Sequence, residues 1–310
     1  MNVRTNSVKA WVLAARPKTL SAALIPVMVA AALASHAPQC SWAAIVICAL
    51  FAALMQIAAN LINDLLDFRK GTDGTDRLGP ERACAQGWIT PRAMRIGIAV
   101  VLALALICGS LVLSLSPALP SWEGSLPLEG GFEGGWIMVA LGAACVLFAF
   151  LYTSWLSYAG LGDLLVLVFF GFVPCCGTYF AATGTLCTSA WIAGLICGVL
   201  IDTLLIINNY RDRDTDHLSG KKTLIATFGE KFGRYFYLAC GIAAWGLTSL
   251  LPSHWEGMGA GFTLPYLLLH IITWRQMVRI RQGRELNHIL GLTSRNMLIF
   301  GVLLTVALAI

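Results

Sequence analysis

Long apolar stretches alternate with short charged segments along the whole chain of 310 residues. A helix needs about 20 consecutive apolar residues to cross the hydrocarbon core of a bilayer. Nine stretches approach that length, and they cover residues 19–36, 41–64, 93–115, 136–154, 162–183, 190–209, 234–251, 260–278 and 294–310. The pattern predicts an all-α, polytopic membrane bundle of about nine transmembrane helices, with residues 1–310 forming a single integral-membrane domain.

Composition supports this interpretation and excludes several classes of protein. Hydrophobic residues make up 58% of the chain and charged residues 12%, whereas ordinary soluble domains contain about 25% charged residues. A soluble protein of this composition would expose large apolar patches. Disordered chains and small disulfide scaffolds do not have such a composition. The formal net charge is +5, but the basic residues lie at the ends of the apolar stretches. We therefore expect the lipid bilayer as a partner and no nucleic acid.

The basic residues predict the orientation of the bundle. All 21 Lys and Arg residues fall in four clusters, at 4–18, 69–95, 211–234 and 275–295. Two predicted spans separate the first and second clusters, four the second and third, and two the third and fourth. Because every interval is even, all four clusters face one side, which is the cytoplasm by the positive-inside rule. We expect a cytoplasmic (inner) membrane protein with its N-terminus in the cytoplasm and its C-terminus outside.

Two acidic motifs follow the second and sixth predicted spans at their cytoplasmic ends. The first motif has the spacing i, i+3, i+4, i+7 and consists of Asn60, Asn63, Asp64 and Asp67. The second motif has a similar helical spacing and consists of Asn208, Asn209, Asp212 and Asp216. Such spacings place side chains on one face of a helix. Both motifs are therefore expected to present amides and carboxylates at the same depth and on the same side of the membrane.

Oxygen ligands from Asp and Asn favour hard cations, above all Mg²⁺. Mg²⁺ binds through few carboxylates and completes its shell with water and phosphate oxygens. We expect two Mg²⁺ ions, with the predicted ligands Asn63, Asp64, Asp67, Asn209, Asp212 and Asp216. The four aspartates of this set are also the predicted catalytic residues. Solvated, capped helix ends are the competing interpretation, which the occurrence of two such motifs on one side disfavours.

A diphosphate bound by these ions would also contact neighbouring polar side chains. The predicted contacts are Asn60, Arg69, Lys70, Asp73, Asn208, Arg211, Lys221 and Lys222. A lipid tail on that diphosphate would run down between the apolar helices. Asp202 lies within the sixth span, and intramembrane acids are functional by default. The sequence leaves open whether Asp202 supports the metal site, accepts a proton or caps a polar pocket.

Several motifs together resemble the intramembrane aromatic prenyltransferases of the UbiA superfamily, in particular their menaquinone-pathway branch. The resemblance covers nearly the whole chain, and the residues that carry it are 15–20, 60–80, 160–163, 169–171, 208–216 and 220–223. It implies a helical bundle around a central cavity, with Mg²⁺ and a polyprenyl diphosphate bound at the cytoplasmic face. In this family pattern, Asn63 and Asp67 match the first metal-binding pair, and Asp212 and Asp216 match the second.

The resemblance also implies an acceptor, which in the menaquinone branch is 1,4-dihydroxy-2-naphthoate. The implied reaction transfers the polyprenyl group with loss of CO₂ and diphosphate and gives demethylmenaquinone. Acceptor contacts are expected from Arg16, Lys18 and Tyr152. Two departures from the general family pattern fit this branch. Gly71 stands where a third Asp is usual, and no Lys or Arg occurs between residues 152 and 161.

Other functions remain open at this stage. Within the enzyme class, the acceptor is alternatively 4-hydroxybenzoate, homogentisate or haem. A non-catalytic lipid-phosphate binder and a transporter are the alternatives outside it. A transporter is disfavoured because the acidic residues cluster at one membrane face, whereas transporter sites lie near the midplane.

Overall fold

The protein is described by a computed structural model that covers residues 3–71, 78–117, 131–152, 156, 158–251 and 259–310. The described residues are mainly helical and contain no β-strand. The helices are α1 Val8–Ala15, α2 Leu20–Ala34, α3 Trp42–Lys70, α4 Pro91–Leu115, α5 Gly131–Leu151, α6 Gly162–Val166, α7 Val173–Thr183, α8 Thr188–Leu218, α9 Leu224–Leu247, α10 Gly259–Ile280 and α11 Leu286–Ala309. The all-α prediction is confirmed.

Each of the nine predicted spans overlaps a helical segment among the described residues. Six segments are long and apolar enough to cross a membrane, namely Val8–Ala34, Trp42–Lys70, Pro91–Leu115, Gly162–Thr183, Thr188–Leu218 and Leu286–Ala309. Helices α5, α9 and α10 do not belong to this group. The membrane-helix architecture is therefore confirmed, whereas the count of nine crossings stays a prediction.

The chain enters the bundle through an elbow that the apolar pattern did not predict. The side chain of Ser7 accepts a hydrogen bond from the Ala10 amide and caps the short helix α1. Helix α1 ends at Ala15, and the backbone of the next residue, Arg16, is left-handed with φ 53°. A 3-10 turn at Pro17–Thr19 follows and leads into α2. The elbow turns the chain from α1, which packs on α3, into the centre of the bundle.

The helical segment Gly162–Thr183 is interrupted by a π-helical turn at Leu167–Phe172. Gly171 in this turn approaches α8 so closely that a Cβ there would lie 2.5 Å from the Gly194 carbonyl oxygen and 2.7 Å from the Gly198 Cα. Small residues allow the backbones of membrane helices to come this close. The turn therefore fixes α6 and α7 against α8, and π turns of this kind are frequent at functional sites.

Contacts between loops bring the four basic clusters to one end of the bundle. The Asn6 amide donates to the Trp88 carbonyl at 2.7 Å, which joins the first and second clusters. The Ser294 hydroxyl donates to the Lys18 carbonyl at 3.3 Å, and this bond joins the first cluster to the fourth. Arg213 donates to the Arg281 carbonyl at 3.0 Å, which joins the third and fourth clusters. The described structure thus agrees with the even spacing of the clusters along the sequence.

Candidate active site

A cavity of about 420 Å³ lies between α2, α3, α5, α7 and α8. Its walls are mostly apolar, and its polar lining residues are Arg16, Thr19, Gln56, Asn60, Asn63, Tyr152, Thr178 and Asn208. Along α3 the lining extends from Cys48 to Asn63, which corresponds to about 22 Å at the helical rise. Except for Thr178 and the deeper Gln56, the polar residues gather toward the end of the bundle where the basic clusters lie. The cavity therefore has a polar mouth and an apolar depth.

The first acidic motif divides between two environments. Asn60 and Asn63 line the cavity. Asp64 does not line it, is 1% exposed, and accepts the backbone amides of Ala83 at 2.7 Å and Cys84 at 2.8 Å. Successive helical residues are separated by about 100° around the axis, so the adjacent Asn63 and Asp64 face different neighbours. Asp64 therefore lies away from the cavity that Asn60 and Asn63 line, and its carboxylate anchors the loop after the motif.

Asp67 forms an ion pair with a residue that the sequence analysis did not identify. Its carboxylate accepts from Arg82 at 2.9 Å, and Arg82 is 6% exposed. Arg82 follows Gly79 and Pro80 in the second basic cluster, a position typical of a loop, so only its charge gave a signal. The buried guanidinium of Arg82 balances the charge of the Asp67 carboxylate at the end of α3. Asp73, a predicted diphosphate contact, lies outside the described residues.

The second motif, at the end of α8, also divides. Asn208 lines the cavity and donates to the Leu204 carbonyl at 2.9 Å, whereas Asn209 is buried away from the cavity lining. The Asp212 carboxylate accepts two hydrogen bonds from the Arg211 guanidinium, at 2.7 and 2.6 Å. Arg211 is therefore paired with its neighbour in the motif, and its contact with a diphosphate stays a prediction.

Asp216 is the member of the motif that is least satisfied by the protein. It is 8% exposed, and its Oδ2 atom has no hydrogen-bond partner among the described residues. Its Oδ1 atom lies 3.5 Å from the Lys221 Nζ. A buried carboxylate oxygen without a donor is costly unless a cation or another donor is bound there. Asp216 is accordingly the residue in this region that most clearly fits a ligand.

The ends of α3 and α8 converge around Tyr158. The Lys70 Nζ at the end of α3 lies 4.5 Å from the centroid of the Tyr158 ring. The Lys222 amide, just after α8, donates to the Tyr158 carbonyl at 3.1 Å. Partial burial raises the pKa of the Tyr158 hydroxyl, and the negative charges of Asp67 and Asp216 raise it further. Carboxylates from both motifs therefore act on the same phenol.

A second bridge between the two motifs comes from Asn287 at the start of α11. Its side-chain oxygen accepts from Arg211 at 2.8 Å, and its amide nitrogen donates to the Leu78 carbonyl at 2.8 Å. Residues distant along the chain are thus tied into one cluster at the end of the bundle where the basic clusters lie. No local motif marks Asn287, so sequence reasoning had no means of finding it.

The acidic residues fit Mg²⁺ as two separate sets, one at the end of α3 and one at the end of α8. Within the described part of the chain, no three His, Cys, Asp or Glu side chains lie close enough to hold one ion. Mg²⁺ commonly takes only one or two carboxylates and fills its shell with water and phosphate oxygens. The unsatisfied Asp216 oxygen, the half-buried Asp67 and the amide oxygen of Asn63 suit such a site.

The remaining predicted site residues are placed as follows. Arg16 and Tyr152 line the cavity, whereas Lys18 is exposed and does not. Arg69 is also exposed, at the last turn of α3. Asp202 is buried in α8, does not line the cavity, and has one carboxylate oxygen without a hydrogen-bond partner among the described residues.

Two curated proteins match much of the chain. The 1,4-dihydroxy-2-naphthoate octaprenyltransferase of Escherichia coli (strain K12) is 33% identical over 236 residues, which are 75% of this chain and 72% of that protein. The protein of the same name from Haemophilus influenzae is 30% identical over an alignment 311 residues long, which covers 97% of this chain and 96% of that protein.

A solved structure shares the fold. The structure of a UbiA homolog from Archaeoglobus fulgidus bound to DMAPP and Mg²⁺ superposes with a TM-score of 0.58 at 15% identity, over 96% of this chain and 99% of that chain. A model of the UbiA prenyltransferase family matches residues 23–294, which is most of the sequence. With its helical fold, its apolar cavity and its two converging acidic motifs, the chain belongs to the UbiA prenyltransferase family.

Proposed function

We propose that this protein transfers a polyprenyl group from a polyprenyl diphosphate to 1,4-dihydroxy-2-naphthoate in a Mg²⁺-dependent reaction. CO₂ and diphosphate are the other products, and the prenylated ring is demethylmenaquinone in its quinol form. The general activity, prenyl transfer to an aromatic acceptor, follows from the family. The naphthoate acceptor is favoured by the two relatives named 1,4-dihydroxy-2-naphthoate octaprenyltransferase, which are 33% and 30% identical to this chain.

One observation carries the proposal: the apolar cavity has its polar mouth where the two acidic motifs converge. A polyprenyl diphosphate has a highly charged head and a long apolar tail, and each part matches one region of this cavity. The head would lie between Asn63 and Asn208, which line the mouth from α3 and α8. The tail would follow the apolar wall toward Cys48, a depth of about 22 Å along α3.

The charged residues at the mouth have complementary roles. Asn63, Asp67, Asp212 and Asp216 are the residues that would hold Mg²⁺. Mg²⁺ held there would neutralise the negative charge that develops on the diphosphate as the allylic C–O bond breaks. Further positive charge for the departing diphosphate would come from basic residues near the ends of α3 and α8, namely Lys70, Arg82, Lys221 and Lys222.

The cavity wall protects the reactive prenyl group from water. The rings of Phe148 and Phe169 pack with centroids 4.7 Å apart, and both line the cavity. Aromatic faces stabilise a nearby cation and exclude solvent. The ring carbon that bears the carboxylate forms the new C–C bond, and the electrons of its bond to the carboxylate restore aromaticity as CO₂ leaves. Arg16, which lines the mouth, is proposed to bind that carboxylate beforehand.

The test is a transfer assay with purified protein, Mg²⁺ and one polyprenyl diphosphate. Dihydroxynaphthoate, 4-hydroxybenzoate and homogentisate are offered separately, and the products are identified by mass. We expect a product only from the naphthoate, with a mass that reflects prenyl addition and loss of CO₂. A product from one of the other acceptors instead would refute the acceptor assignment. Tight donor binding without any product, with every acceptor, would favour the non-catalytic lipid-phosphate binder.

A further inference from the structure

Helix α3 carries three amide side chains up one wall of the cavity. Gln56, Asn60 and Asn63 have the spacing i, i+4, i+7, and all three line the cavity. Gln56 lies about 10 Å deeper than Asn63 along the helix axis. It is therefore below the region where the proposed diphosphate head binds, at a depth where the reacting end of the prenyl chain would meet the acceptor ring in the proposed reaction. The sequence analysis did not single out Gln56.

The Gln56 amide is satisfied on one side only. Its Nε2 atom donates to the Thr19 hydroxyl oxygen at 3.2 Å. Its Oε1 atom is shielded from solvent and has no hydrogen-bond partner among the described residues. An acceptor oxygen left unpaired inside a protein costs free energy, which a ligand donor recovers. Within a substrate cavity, the missing partner is most directly a hydroxyl group of the substrate.

Thr19 connects Gln56 to Arg16. The Thr19 hydroxyl donates to the Arg16 carbonyl at 2.9 Å and also accepts from the Asn60 side chain at 3.0 Å. Asn60 donates to the Ala15 carbonyl as well, at 3.0 Å. These bonds hold Arg16 at φ 53°, a conformation that a non-glycine residue keeps only when its surroundings enforce it. The elbow thus sets a guanidinium and an unpaired amide oxygen on adjoining parts of one cavity wall.

We propose that Gln56 determines acceptor specificity by accepting a hydrogen bond from the ring hydroxyl next to the acceptor carboxylate. Arg16 binds the carboxylate, and Gln56 binds the hydroxyl, so that the pair selects hydroxylated aromatic acids and fixes the ring below the diphosphate. This inference rests on the proposed function, because it presumes an aromatic acceptor in this cavity. Sites built to pair with a substrate hydroxyl discriminate strongly against analogues that lack it.

The test compares the binding of two unreactive probes that differ by one hydroxyl, 1-hydroxy-2-naphthoate and 2-naphthoate. Their dissociation constants are measured by calorimetry with purified protein in detergent, in the presence of Mg²⁺ and diphosphate. We expect the wild type to bind the hydroxylated probe at least 10-fold more tightly. In Gln56→Met, which keeps the length of the side chain, that preference should fall to less than 2-fold. The inference is overturned if Gln56→Met keeps the wild-type preference.

A control separates specificity from general damage. Gln276→Met on α10 changes the same residue type away from the cavity, and it should keep the preference. Because partial unfolding lowers the binding of both probes alike, it does not change the ratio of their two affinities. A wild type that transfers prenyl groups but shows no hydroxyl preference refutes only this inference, whereas one that neither transfers nor binds refutes the proposed function itself.

Discussion

At the scale of single residues, position on a helix separates side chains that are adjacent in sequence. Asn63 lines the cavity, whereas Asp64 accepts two backbone amides from the loop at 83–84. In the same way Asn208 lines the cavity, and Asn209 does not. The spacing of the motifs indicated the correct end of each helix. It could not indicate which of two neighbours faces the cavity, because that depends on what packs beside the helix.

The unsatisfied oxygen of Asp216 makes this residue the sharpest test of the metal assignment. Asp216→Asn keeps the shape of the side chain but removes its charge, and the loss of a proposed Mg²⁺ ligand should lower kcat/KM by more than about 100-fold, since even supporting residues of metal sites cost 10- to 100-fold. Asp214→Asn is the matched control, because the Asp214 side chain is 74% exposed. It should keep activity within about 2-fold of the wild type. Equal activity of the two variants at saturating Mg²⁺ would contradict the assignment.

Asp64 is expected to act on stability and not on metal binding. In Asp64→Ala the buried amides of Ala83 and Cys84 lose their acceptors, at a cost of about 1–3 kcal/mol each. The variant should show a clearly lower midpoint of thermal unfolding in detergent. Asp64→Asn retains one acceptor oxygen and should lose less stability.

The Mg²⁺ dependence of activity distinguishes the two roles of Asp64. If Asp64 only anchors the loop, the concentration of Mg²⁺ for half-maximal activity should change by less than about 3-fold in the folded fraction of Asp64→Asn. An unchanged unfolding midpoint together with a large increase in the Mg²⁺ requirement would show that Asp64 is a metal ligand after all.

At the scale of helices, the apolar pattern located the segments but not their interruptions. The stretch at 162–183 reads as one continuous span, yet it contains a π turn that places Gly171 against α8. The first span begins near residue 19 as predicted, but the elbow at Arg16 and helix α1 before it were missed. Hydropathy records how apolar a segment is. Backbone conformation at single positions depends on contacts between helices, which one sequence does not display.

The cavity-facing side of α7 predicts which position limits the prenyl chain length of the donor. Gly177 lies in the middle of the lining residues of this helix, and a Cβ added there would meet no heavy atom within 4 Å. In Gly177→Leu the new side chain should fill part of the cavity without distorting the helix, since Leu is a better helix former than Gly. We expect kcat/KM for a long donor such as octaprenyl diphosphate to fall at least 10-fold more than that for geranyl diphosphate.

A matched substitution elsewhere checks that this effect comes from the cavity. Gly246 on α9 is also half-buried and has no heavy atom near an added Cβ, but it does not line the cavity. Gly246→Leu should therefore leave the ratio of the kcat/KM values for the two donors unchanged. If Gly177→Leu lowers kcat/KM for both donors by the same factor, the prenyl tail does not pass this glycine.

At the scale of the whole molecule, counting spans between basic clusters was a sufficient guide to which segments meet. The count placed the ends of α3 and α8 on one side, and the contacts of Tyr158 and Asn287 connect those ends. What the count could not supply was the identity of the connecting residues. Asn287 is more than 200 positions from its partner Leu78, and no pattern along the chain predicts a contact over that separation.

The same count predicts that α11 crosses the membrane and carries the C-terminus outside. The loop between α10 and α11 contains Arg281 and Arg284 and belongs to the fourth basic cluster, so the positive-inside rule assigns it to the cytoplasm. A reporter enzyme that is active only outside the cytoplasmic membrane should be inactive when fused after Gln282 and active when fused after Ile310. The two fusion points differ by the single helix Leu286–Ala309, which is long and apolar enough to span. Inactivity of both fusions, with a fluorescent cytoplasmic reporter active at both points, would show an even number of crossings and overturn the predicted orientation of the C-terminus.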